Sequence, residues 1–288
     1  INNKVKFFFK KLLPSIFSSG VTQINILIGT IIASFEVSAV SYLYYADRIY
    51  QLNLAIAGIA VGTVSLPVLS KAIKNKNHSR ISKIQGQSIE LSLLLSIPAS
   101  LGLILASEEI INALFGYGSF SEENVRMTSL ALKYFGYGIP AFALIKILAN
   151  FFFARNNTKT PFYISIFIVL LNVLISLTFF DKVGFVIIPV ATSISTWAGV
   201  IIYIYLLIQK NYLVYKDNLK QNILKISLCS VLMSFSLIFL LNYFAGYLEY
   251  SYKFKVVYLF VTVGFAASIY LISCYLAGIL KTKNFKIN

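Results

Sequence analysis

Residues 183–209 read VGFVIIPVATSISTWAGVIIYIYLLIQ, a run of 27 residues without a charged side chain. A helix that crosses a bilayer needs about 20 predominantly apolar residues. The run therefore predicts a membrane-spanning helix. Four further long runs also lack any charge: Leu12–Phe35, Pro161–Phe180, Ile226–Leu248 and Val256–Leu280. Together the five runs indicate an all-α protein that crosses a membrane repeatedly.

Three weaker apolar stretches complete the predicted set of spans. They are Val37–Ser70, Leu91–Ser107 and Ala131–Ala154. The first of them contains Asp47 and Arg48, the second is short, and the last contains Lys133 and Lys146. We therefore predict eight transmembrane helices, which we number first to eighth along the chain.

The composition excludes several classes of protein. Of the 288 residues, 58% are hydrophobic and 12% are charged, and the mean hydropathy is +0.79. Soluble domains carry about 25% charged residues, so we exclude an ordinary cytosolic enzyme, a disordered tail and a disulfide scaffold. The net charge of +15 could indicate nucleic acid, but in a chain this apolar it favours a membrane. We expect no nucleic-acid partner, no cofactor and no metal.

The distribution of cations predicts the orientation. Eighteen of the 25 Lys and Arg side chains fall in segments that share one side of the membrane if there are eight spans. These segments are residues 4–11, 71–83, 155–159, 210–225 and 281–286. Seven acids fall on the other side: Glu36, Glu108, Glu109, Glu122, Glu123, Asp181 and Glu249. Since Lys and Arg concentrate in short cytoplasmic loops, both termini are predicted to be cytoplasmic.

Arg48 stands out because arginine is scarce in this chain and this one lies inside a predicted span. Counted from Val37 at 1.5 Å per residue, it lies about 16 Å along the second helix, near the middle of a hydrocarbon layer about 30 Å thick. A charge there costs about 2.5–3.5 kcal/mol on insertion scales. Arg48 is therefore expected to face a water-filled cavity or a partner. Asp47 is an imperfect partner because consecutive helical residues do not face each other.

Polar and small residues recur at intervals of three and four on the second helix, which predicts one stripe along its surface. The stripe consists of Tyr44, Arg48, Gln51, Ala55, Gly58 and Gly62. Gly58 and Gly62 form a GxxxG pair, which permits close approach of helices. One interpretation is a tightly packed helix with one buried ion pair. The favoured interpretation is a cavity wall with a cationic contact for an anionic substrate.

Other polar groups at membrane depth support weaker hypotheses. Lys146 could extend toward the cytoplasm or line a cavity. Asn172 and Ser176 share a face of the fifth helix, and Thr192 belongs to a polar stretch in the sixth. These three could form a small-cation or substrate site, but interhelical hydrogen bonds are the favoured interpretation.

Helix-breaking residues are frequent within the predicted spans. Gly136, Gly138 and Pro140 crowd the fourth helix, while Pro98 and Pro189 are expected to interrupt the third and the sixth. Bent or broken helices are tolerated where they line a cavity or contact other protein segments. Several of them in one bundle favour a moving transporter over a rigid anchor.

Several blocks of sequence follow one another in a fixed order. Residues 44–52 read YYADRIYQL, and they are followed by Gly58, Gly62 and the block LPVLS at 66–70. This order and spacing resemble the MurJ/MviN lipid II flippases. Further matching blocks are residues 114–120, 134–143, 146–148, 152–155 and 158–161. The blocks are long and correctly spaced, and the resemblance covers essentially the whole chain.

The resemblance implies a domain organisation. Flippases of this kind belong to the MOP transporter superfamily and have fourteen helices: two six-helix lobes and then two more. The eight predicted helices resemble the second lobe, residues 1–210, and the final pair, residues 211–288. The first lobe is absent. The chain begins with Ile1 rather than Met, which we interpret as consistent with a fragment.

The resemblance also implies a function in the bacterial inner membrane. The substrate would be the peptidoglycan precursor, a disaccharide-pentapeptide on undecaprenyl pyrophosphate, moved by alternating access of the two lobes. Arg48 aligns with a cavity arginine that would bind the pyrophosphate through bidentate hydrogen bonds. Tyr44, Asp47, Gln51 and Lys146 are the other substrate-binding candidates, and Gln51 stands where some relatives have Glu.

Two further roles follow from the same resemblance. The seventh and eighth helices would form a hydrophobic groove for the lipid tail. Some relatives bind sodium between helices that match the first, fifth and sixth. Asn172 and Thr192 fit that site, but Ser176 replaces a carboxylate, so we do not expect tight sodium binding.

Two other functions stay open from the residues alone. One is a MOP-family exporter of another polyprenyl-linked glycan or of a small molecule. The other is a membrane glycosyltransferase or polymerase, which should carry catalytic acids on an outer loop. Its candidates would be Glu108, Glu109, Glu122 and Glu123, but these resemble ordinary solvated charges. We therefore expect a transporter and not an enzyme.

Overall fold

The computed structural model describes Gln23, residues 25–213 and residues 219–280, and most of these residues are helical. The helices are α1 (25–33), α2 (Ala39–Leu54), α3 (Val61–Lys74), α4 (His78–Leu105), α5 (Ser107–Phe115), α6 (Glu122–Gly136), α7 (Ile139–Phe153), α8 (Lys159–Val183), α9 (Ile187–Gln209), α10 (Leu219–Tyr243) and α11 (Lys255–Leu276). A π-helical segment, Ala55–Ala60, joins α2 to α3 without a break. The start of the first predicted span, residues 12–22, lies outside the described residues, as do residues 4–11, Lys216 and residues 281–286.

Five helical stretches of the described chain are long and apolar enough to cross a membrane. They are Ala39–Lys74, His78–Leu105, Lys159–Gln209, Leu219–Tyr243 and Lys255–Leu276. The pair α6 and α7, bent by 41° at their junction, makes a sixth if it counts as one span. The 51-residue stretch Lys159–Gln209 comprises α8 and α9. These two run antiparallel, since Asn172 near the middle of α8 hydrogen-bonds Thr192 on α9 at 3.0 Å.

Two predicted spans have the wrong boundaries because polar residues were assigned to loops. The third helix begins at His78 rather than Leu91, where the side chain of Asn77 accepts a hydrogen bond from the amide of Arg80. Gln85, Gln87 and Glu90 in the added stretch are buried, and Gln85 donates to the carbonyl oxygen of Tyr212 at 2.8 Å. The seventh helix begins at Leu219 rather than Ile226, and Asn222 in its first turns donates to Glu90 at 2.9 Å.

The prolines differ in their effect on the helices. Pro98 lies inside α4, which continues through it, so the expected interruption there is wrong. Pro189 lies in the first turn of α9, where a missing backbone N–H costs nothing. The break in the fourth span is present, because α6 ends at Gly136 and α7 begins at Ile139.

Contacts among the loops and the short helix α5 define two ends of the bundle, which we name by their charged residues. The acidic end consists of residues 34–38, 106–121, 184–186 and 244–254. There the Glu36 carboxylate accepts a hydrogen bond from the amide of Phe185 at 2.6 Å. The basic end consists of residues 75–77, 154–158 and 210–213. There the Arg155 guanidinium donates to the carbonyl oxygen of Tyr212 at 2.9 Å and lies over the ring of Tyr212, with Cζ 4.5 Å from its centroid.

The pair α10 and α11 packs on α4 and α5 rather than standing apart. A buried cluster joins Leu94 and Ala106 to Met233 and Tyr270. The Tyr270 hydroxyl donates to the carbonyl oxygen of Leu94 at 2.7 Å. Cysteines 229 and 274 also lie in this cluster, and both are buried free thiols. The pair is therefore attached to the rest of the bundle through an apolar interface.

Candidate substrate-binding face

One side of α2 carries polar side chains that no described residue covers. We call it the α2 face; it consists of Tyr44, Asp47, Arg48, Gln51 and Ala55. Tyr44 is 54% exposed, Arg48, Gln51 and Ala55 are exposed, and Asp47 is half-buried. The face continues into exposed apolar residues on the π-helical segment and α3. It is therefore a surface available to a ligand or to another lobe.

Arg48 is held by a residue one turn earlier on the same helix. Its Nη2 donates a hydrogen bond to the Tyr44 hydroxyl at 2.9 Å. Its Cζ lies 4.6 Å from the centroid of the Tyr44 ring, within the range of a cation–π contact. Residues four apart on a helix are neighbours, so the local sequence alone produces this pair.

Asp47 is held in the opposite direction along the helix. Gln51 donates a short hydrogen bond from Nε2 to Asp47 Oδ2. Within the described ranges the ion pair formed is Arg126 with Glu123, at 3.7 Å. Arg48 and Asp47 therefore do not form the buried ion pair of the packing interpretation.

The predicted stripe divides at the π-helical segment. Gly58 and Gly62 are buried, whereas Tyr44, Arg48, Gln51 and Ala55 are not. A Cβ on Gly58 would lie 3.3 Å from Ala143 Cα, so α7 packs directly against this backbone. A π-helix bonds i to i+5 and takes more residues per turn, which rotates the two glycines away from the α2 face. The close approach expected of the GxxxG pair is therefore present, and the π-helical segment shifts the register of the stripe after Ala55.

Lys146 lies beside the π-helical segment rather than beside Arg48. Its Cγ is 3.5 Å from the position of a Cβ on Gly58. Gly58 follows Arg48 by ten residues, or about 15 Å along the helix. The structure thus brings Tyr44, Asp47 and Gln51 together around Arg48, and Lys146 lies farther along the same helix.

The break between α6 and α7 leaves backbone carbonyls without helical partners, and neighbouring helices supply donors. The Ser193 hydroxyl donates to Tyr134 O at 2.7 Å, the Ser100 hydroxyl to Gly136 O at 2.7 Å and the Trp197 indole to Tyr137 O at 3.0 Å. Gly138 sits close to α9, since a Cβ there would be 2.8 Å from Ser193 Oγ. Pro140 occupies the first turn of α7. Gly136, Gly138 and Pro140 therefore form a defined bend rather than a frayed end.

The three candidate cation-site residues lie together in a buried cluster between helices. Asn172 Nδ2 donates to Thr192 Oγ1 at 3.0 Å, and Ser176 Oγ donates to Asn172 Oδ1 at 3.1 Å. Asn172 Nδ2 also donates to Asn25 Oδ1 on α1 at 2.9 Å. The sequence analysis did not single out Asn25, although an asparagine within an apolar run was a signal for it. The cluster connects α1, α8 and α9.

The chemistry of this cluster is that of neutral oxygens. Amide and hydroxyl oxygens can bind a hard cation, but carboxylates bind it more strongly. Across the part of the chain that the structure describes, no group of three or more His, Cys, Asp or Glu could hold a metal ion. Asn172 bonds Thr192 and Asn25 on neighbouring helices and Ser176 on its own helix. A cation at Asn172, Ser176 and Thr192 stays a prediction.

The acidic end contains a cavity of about 450 Å³. Glutamates 108, 109, 122 and 249 line it, whereas Glu123 pairs with Arg126. Burial raises the pKa of Glu109 above the ordinary carboxyl value, and the charge of Glu108 raises that pKa further. Three of the four acids proposed for an enzyme therefore share a cavity.

Lys255 is a buried cation at the first residue of α11. It is 1% exposed, and its Nζ donates to Gly116 O at 2.7 Å and to Tyr250 O at 2.9 Å. The same nitrogen lies 4.3 Å from the centroid of the Tyr117 ring. The sequence could not predict its position between two loops of the acidic end, because Lys255 simply precedes an ordinary apolar run.

Comparison with known proteins places the chain in a family. The family model "Lipid II flippase MurJ" matches residues 1–279. The probable lipid II flippase MurJ of Rickettsia prowazekii is 36% identical over 281 residues, which are 96% of this chain and 55% of that protein. The corresponding protein of Rhizobium meliloti is 40% identical over 200 residues, or 69% of this chain and 37% of that protein. The chain thus spans about half the length, or less, of these curated relatives.

Solved structures agree with this placement. A lipid II flippase MurJ in an inward closed conformation superimposes with a TM-score of 0.77 at 26% identity, over 96% of this chain and 56% of that one. A MATE transporter of Vibrio cholerae in a bent form shares the fold alone, with a TM-score of 0.64 at 16% identity over 93% of this chain and 64% of that one. The family model matches nearly the entire sequence, and the chain belongs to the lipid II flippase MurJ family.

Proposed function

We propose that the chain forms the carboxyl-terminal part of a lipid II flippase, which moves a polyprenyl-pyrophosphate-linked peptidoglycan precursor across the bacterial inner membrane. The family is one of transporters rather than catalytic enzymes. Arg48 is the main support for the proposal, because it is a cation at predicted membrane depth on an exposed face. Among the described residues it forms no ion pair with a carboxylate. The precursor's pyrophosphate is the anion that such a guanidinium suits.

The proposed membrane topology has eight crossings with both termini in the cytoplasm. The observation that supports it is the separation of acidic and basic loops at opposite ends of the bundle, with the basic end toward the cytoplasm. In this topology α8 and α9 cross separately, and α6 and α7 together make one bent crossing. Residues 1–210 form the second lobe, and residues 211–288 add two helices.

The α2 face is proposed to close a central cavity against an amino-terminal lobe. Uncovered polar side chains at membrane depth need water or protein around them, and a second lobe supplies both. Alternating access would then open the cavity to each side in turn. The bend between α6 and α7, with its carbonyls bonded to α4 and α9, fits a helix that lines such a cavity.

The pair α10 and α11 is proposed to contact the lipid tail and the surrounding membrane lipids. Large aromatic side chains point outward from both helices, among them Phe235, Phe239 and Phe260. In water such a surface would be a liability, but acyl chains cover it at little cost.

The decisive test is whether Arg48 recognises a lipid diphosphate. Binding of geranylgeranyl diphosphate to the complete, detergent-solubilised gene product is compared with binding of geranylgeraniol, which lacks the charge. A charge-assisted hydrogen bond contributes about 1.5–3 kcal/mol, so Arg48→Ala should weaken binding of the diphosphate by about tenfold or more. Binding of the alcohol should not change.

Arg126→Ala is the matched control, because Arg126 is an exposed arginine at the acidic end, paired with Glu123. Its affinity for the diphosphate should equal that of the unaltered protein. If Arg48→Ala binds the diphosphate as tightly as the unaltered protein, the proposed site is wrong.

A further inference from the structure

We propose that Tyr44 and Gln51 are positioning residues that hold Arg48 and Asp47 apart and thereby keep the guanidinium free for the anionic headgroup. The proposal rests on the function proposed above and extends it to two side chains that act through others. Neither residue needs to touch the substrate for this role.

The four residues form two crossed pairs on one helix. Arg48 reaches back one turn to Tyr44, and Asp47 reaches forward one turn to Gln51. Tyr44 and Gln51 are seven residues apart, which is about 10 Å along the helix. The adjacent residues Asp47 and Arg48 therefore direct their charged ends toward opposite ends of α2.

This separation works against the attraction between the two charges. Away from bulk water the Coulomb energy of neighbouring opposite charges rises steeply as the effective dielectric constant falls. Consecutive helical residues do not face each other, but the long arginine side chain can still bring its guanidinium toward the neighbouring carboxylate when nothing else holds it. A cation–π contact of about 0.5–2 kcal/mol and a hydrogen bond of about 0.5–1.5 kcal/mol favour the separated arrangement. Tyr44 supplies both contacts to Arg48.

The contacts that hold Arg48 leave its recognition surface open. A guanidinium has five N–H donors in a planar fork. The Tyr44 hydroxyl accepts from Nη2, and the Tyr44 ring covers part of one flat side of the group. The remaining edge can donate two parallel hydrogen bonds to a phosphate. An ion pair with Asp47 would occupy the same edge and cancel the charge.

The arrangement predicts different roles for the two parts of the tyrosine side chain. Tyr44→Phe keeps the ring over the guanidinium and removes the hydroxyl. It should weaken binding of the diphosphate by about twofold to threefold. Tyr44→Leu removes both contacts and should weaken it by about tenfold.

Gln51 should act only through Asp47. Gln51→Leu frees the Asp47 carboxylate to capture Arg48, and we expect a loss of affinity for the diphosphate of about fivefold. Because Gln51 and Tyr44 are exposed, these variants should fold. The elution volume and the melting temperature in detergent report the folded state.

The test is a pair of double-mutant cycles read out by the affinity for geranylgeranyl diphosphate. In the first cycle, Tyr44→Leu is added to Arg48→Ala, and in the second, Gln51→Leu is added to Asp47→Asn. Each added substitution should change the affinity by less than twofold, because the group through which the residue acts is already gone. Additive losses in either cycle would overturn the positioning role. So would an unchanged affinity in both Tyr44→Leu and Gln51→Leu.

The cycles separate this proposal from the function on which it rests. If Arg48→Ala alone leaves the affinity unchanged, the substrate-binding role of Arg48 fails, and the positioning role fails with it. If Arg48→Ala loses affinity while the cycles are additive, the function stands and only the positioning role is wrong.

Discussion

The ammonium group of Lys255 donates a hydrogen bond to the side-chain oxygen of Asn112 at 2.9 Å, between the start of α11 and the end of α5. Asn112 in turn donates to the carbonyl oxygen of Leu248 at 2.8 Å. Together with the bonds of Lys255 to Gly116 and Tyr250, these contacts join the α10–α11 loop to the acidic end of the bundle. The attachment of α10 and α11 thus combines an apolar interface with a buried polar one.

Lys255→Met should destabilise this attachment. The substitution keeps the length of the side chain but leaves three buried oxygens without a donor, and each unsatisfied group costs about 1–3 kcal/mol. We expect the melting temperature in detergent to fall by several degrees. Lys253→Met is the control, because Lys253 is exposed two residues earlier. Equal melting temperatures for the two variants would show that Lys255 does not carry the attachment.

Gly138→Ala should disturb the bend between α6 and α7. The new Cβ would lie 2.8 Å from Ser193 Oγ and 3.3 Å from Phe135 O, and such overpacking costs about 1–3 kcal/mol. Trp197 donates to Tyr137 next to this bend, so its fluorescence emission should shift.

Gly102→Ala provides the comparison for the bend, since no atom lies within 4 Å of a Cβ built at Gly102 in α4. That change should be neutral or should stabilise α4 by up to about 1 kcal/mol. If Gly138→Ala matches Gly102→Ala in both emission spectrum and stability, the bend does not pack closely on α9.

Ser176→Asp should make the stability of the protein depend on sodium. The change adds a carboxylate beside Asn172 and Thr192, whose oxygens are neutral. Binding to the folded state raises stability by mass action, by about 2.7 kcal/mol at a concentration 100 times the dissociation constant. We expect a higher melting temperature in sodium chloride than in choline chloride for this variant, and equal values for the unaltered protein. Sodium-dependent stability of the unaltered protein would contradict the hydrogen-bonding interpretation of the cluster.

Arg48→Lys should be only partly tolerated. Lysine keeps the positive charge but is a point charge without the planar fork, and it stacks less well on Tyr44. Affinity for geranylgeranyl diphosphate should fall by about tenfold, which corresponds to about 1.4 kcal/mol. Full affinity in this variant would indicate that charge alone suffices and that bidentate geometry has no role.

The long charge-free runs predicted α8, α9 and α11 well because a bilayer span needs little more than length and hydrophobicity. Polar helical turns were assigned to loops at His78 and Leu219, since their burial depends on partners such as Tyr212 and Glu90 that are distant in sequence. Pattern alone could not reveal these contacts.

The candidate site was predictable where it depends on neighbours along one helix. The spacing of Tyr44, Arg48 and Gln51 suffices to place them on one face. The GxxxG pair indicated close packing at Gly58 and Gly62, whereas the π-helical segment that changes the register after Ala55 was not apparent from the spacing. Lys255 was missed for a similar reason: its acceptors are the side-chain oxygen of Asn112 and two backbone oxygens, and no pattern around Lys255 indicates them.

The central claim is that movement of the precursor requires Arg48. The most direct measurement is the rate at which lipid-linked precursor reaches the outer leaflet in cells depleted of their own flippase. The complete gene product should restore this rate, and Arg126→Ala should restore it equally. Arg48→Ala, present at the same level in the membrane, should leave the rate at that of the depleted strain. A normal rate with Arg48→Ala would contradict the account.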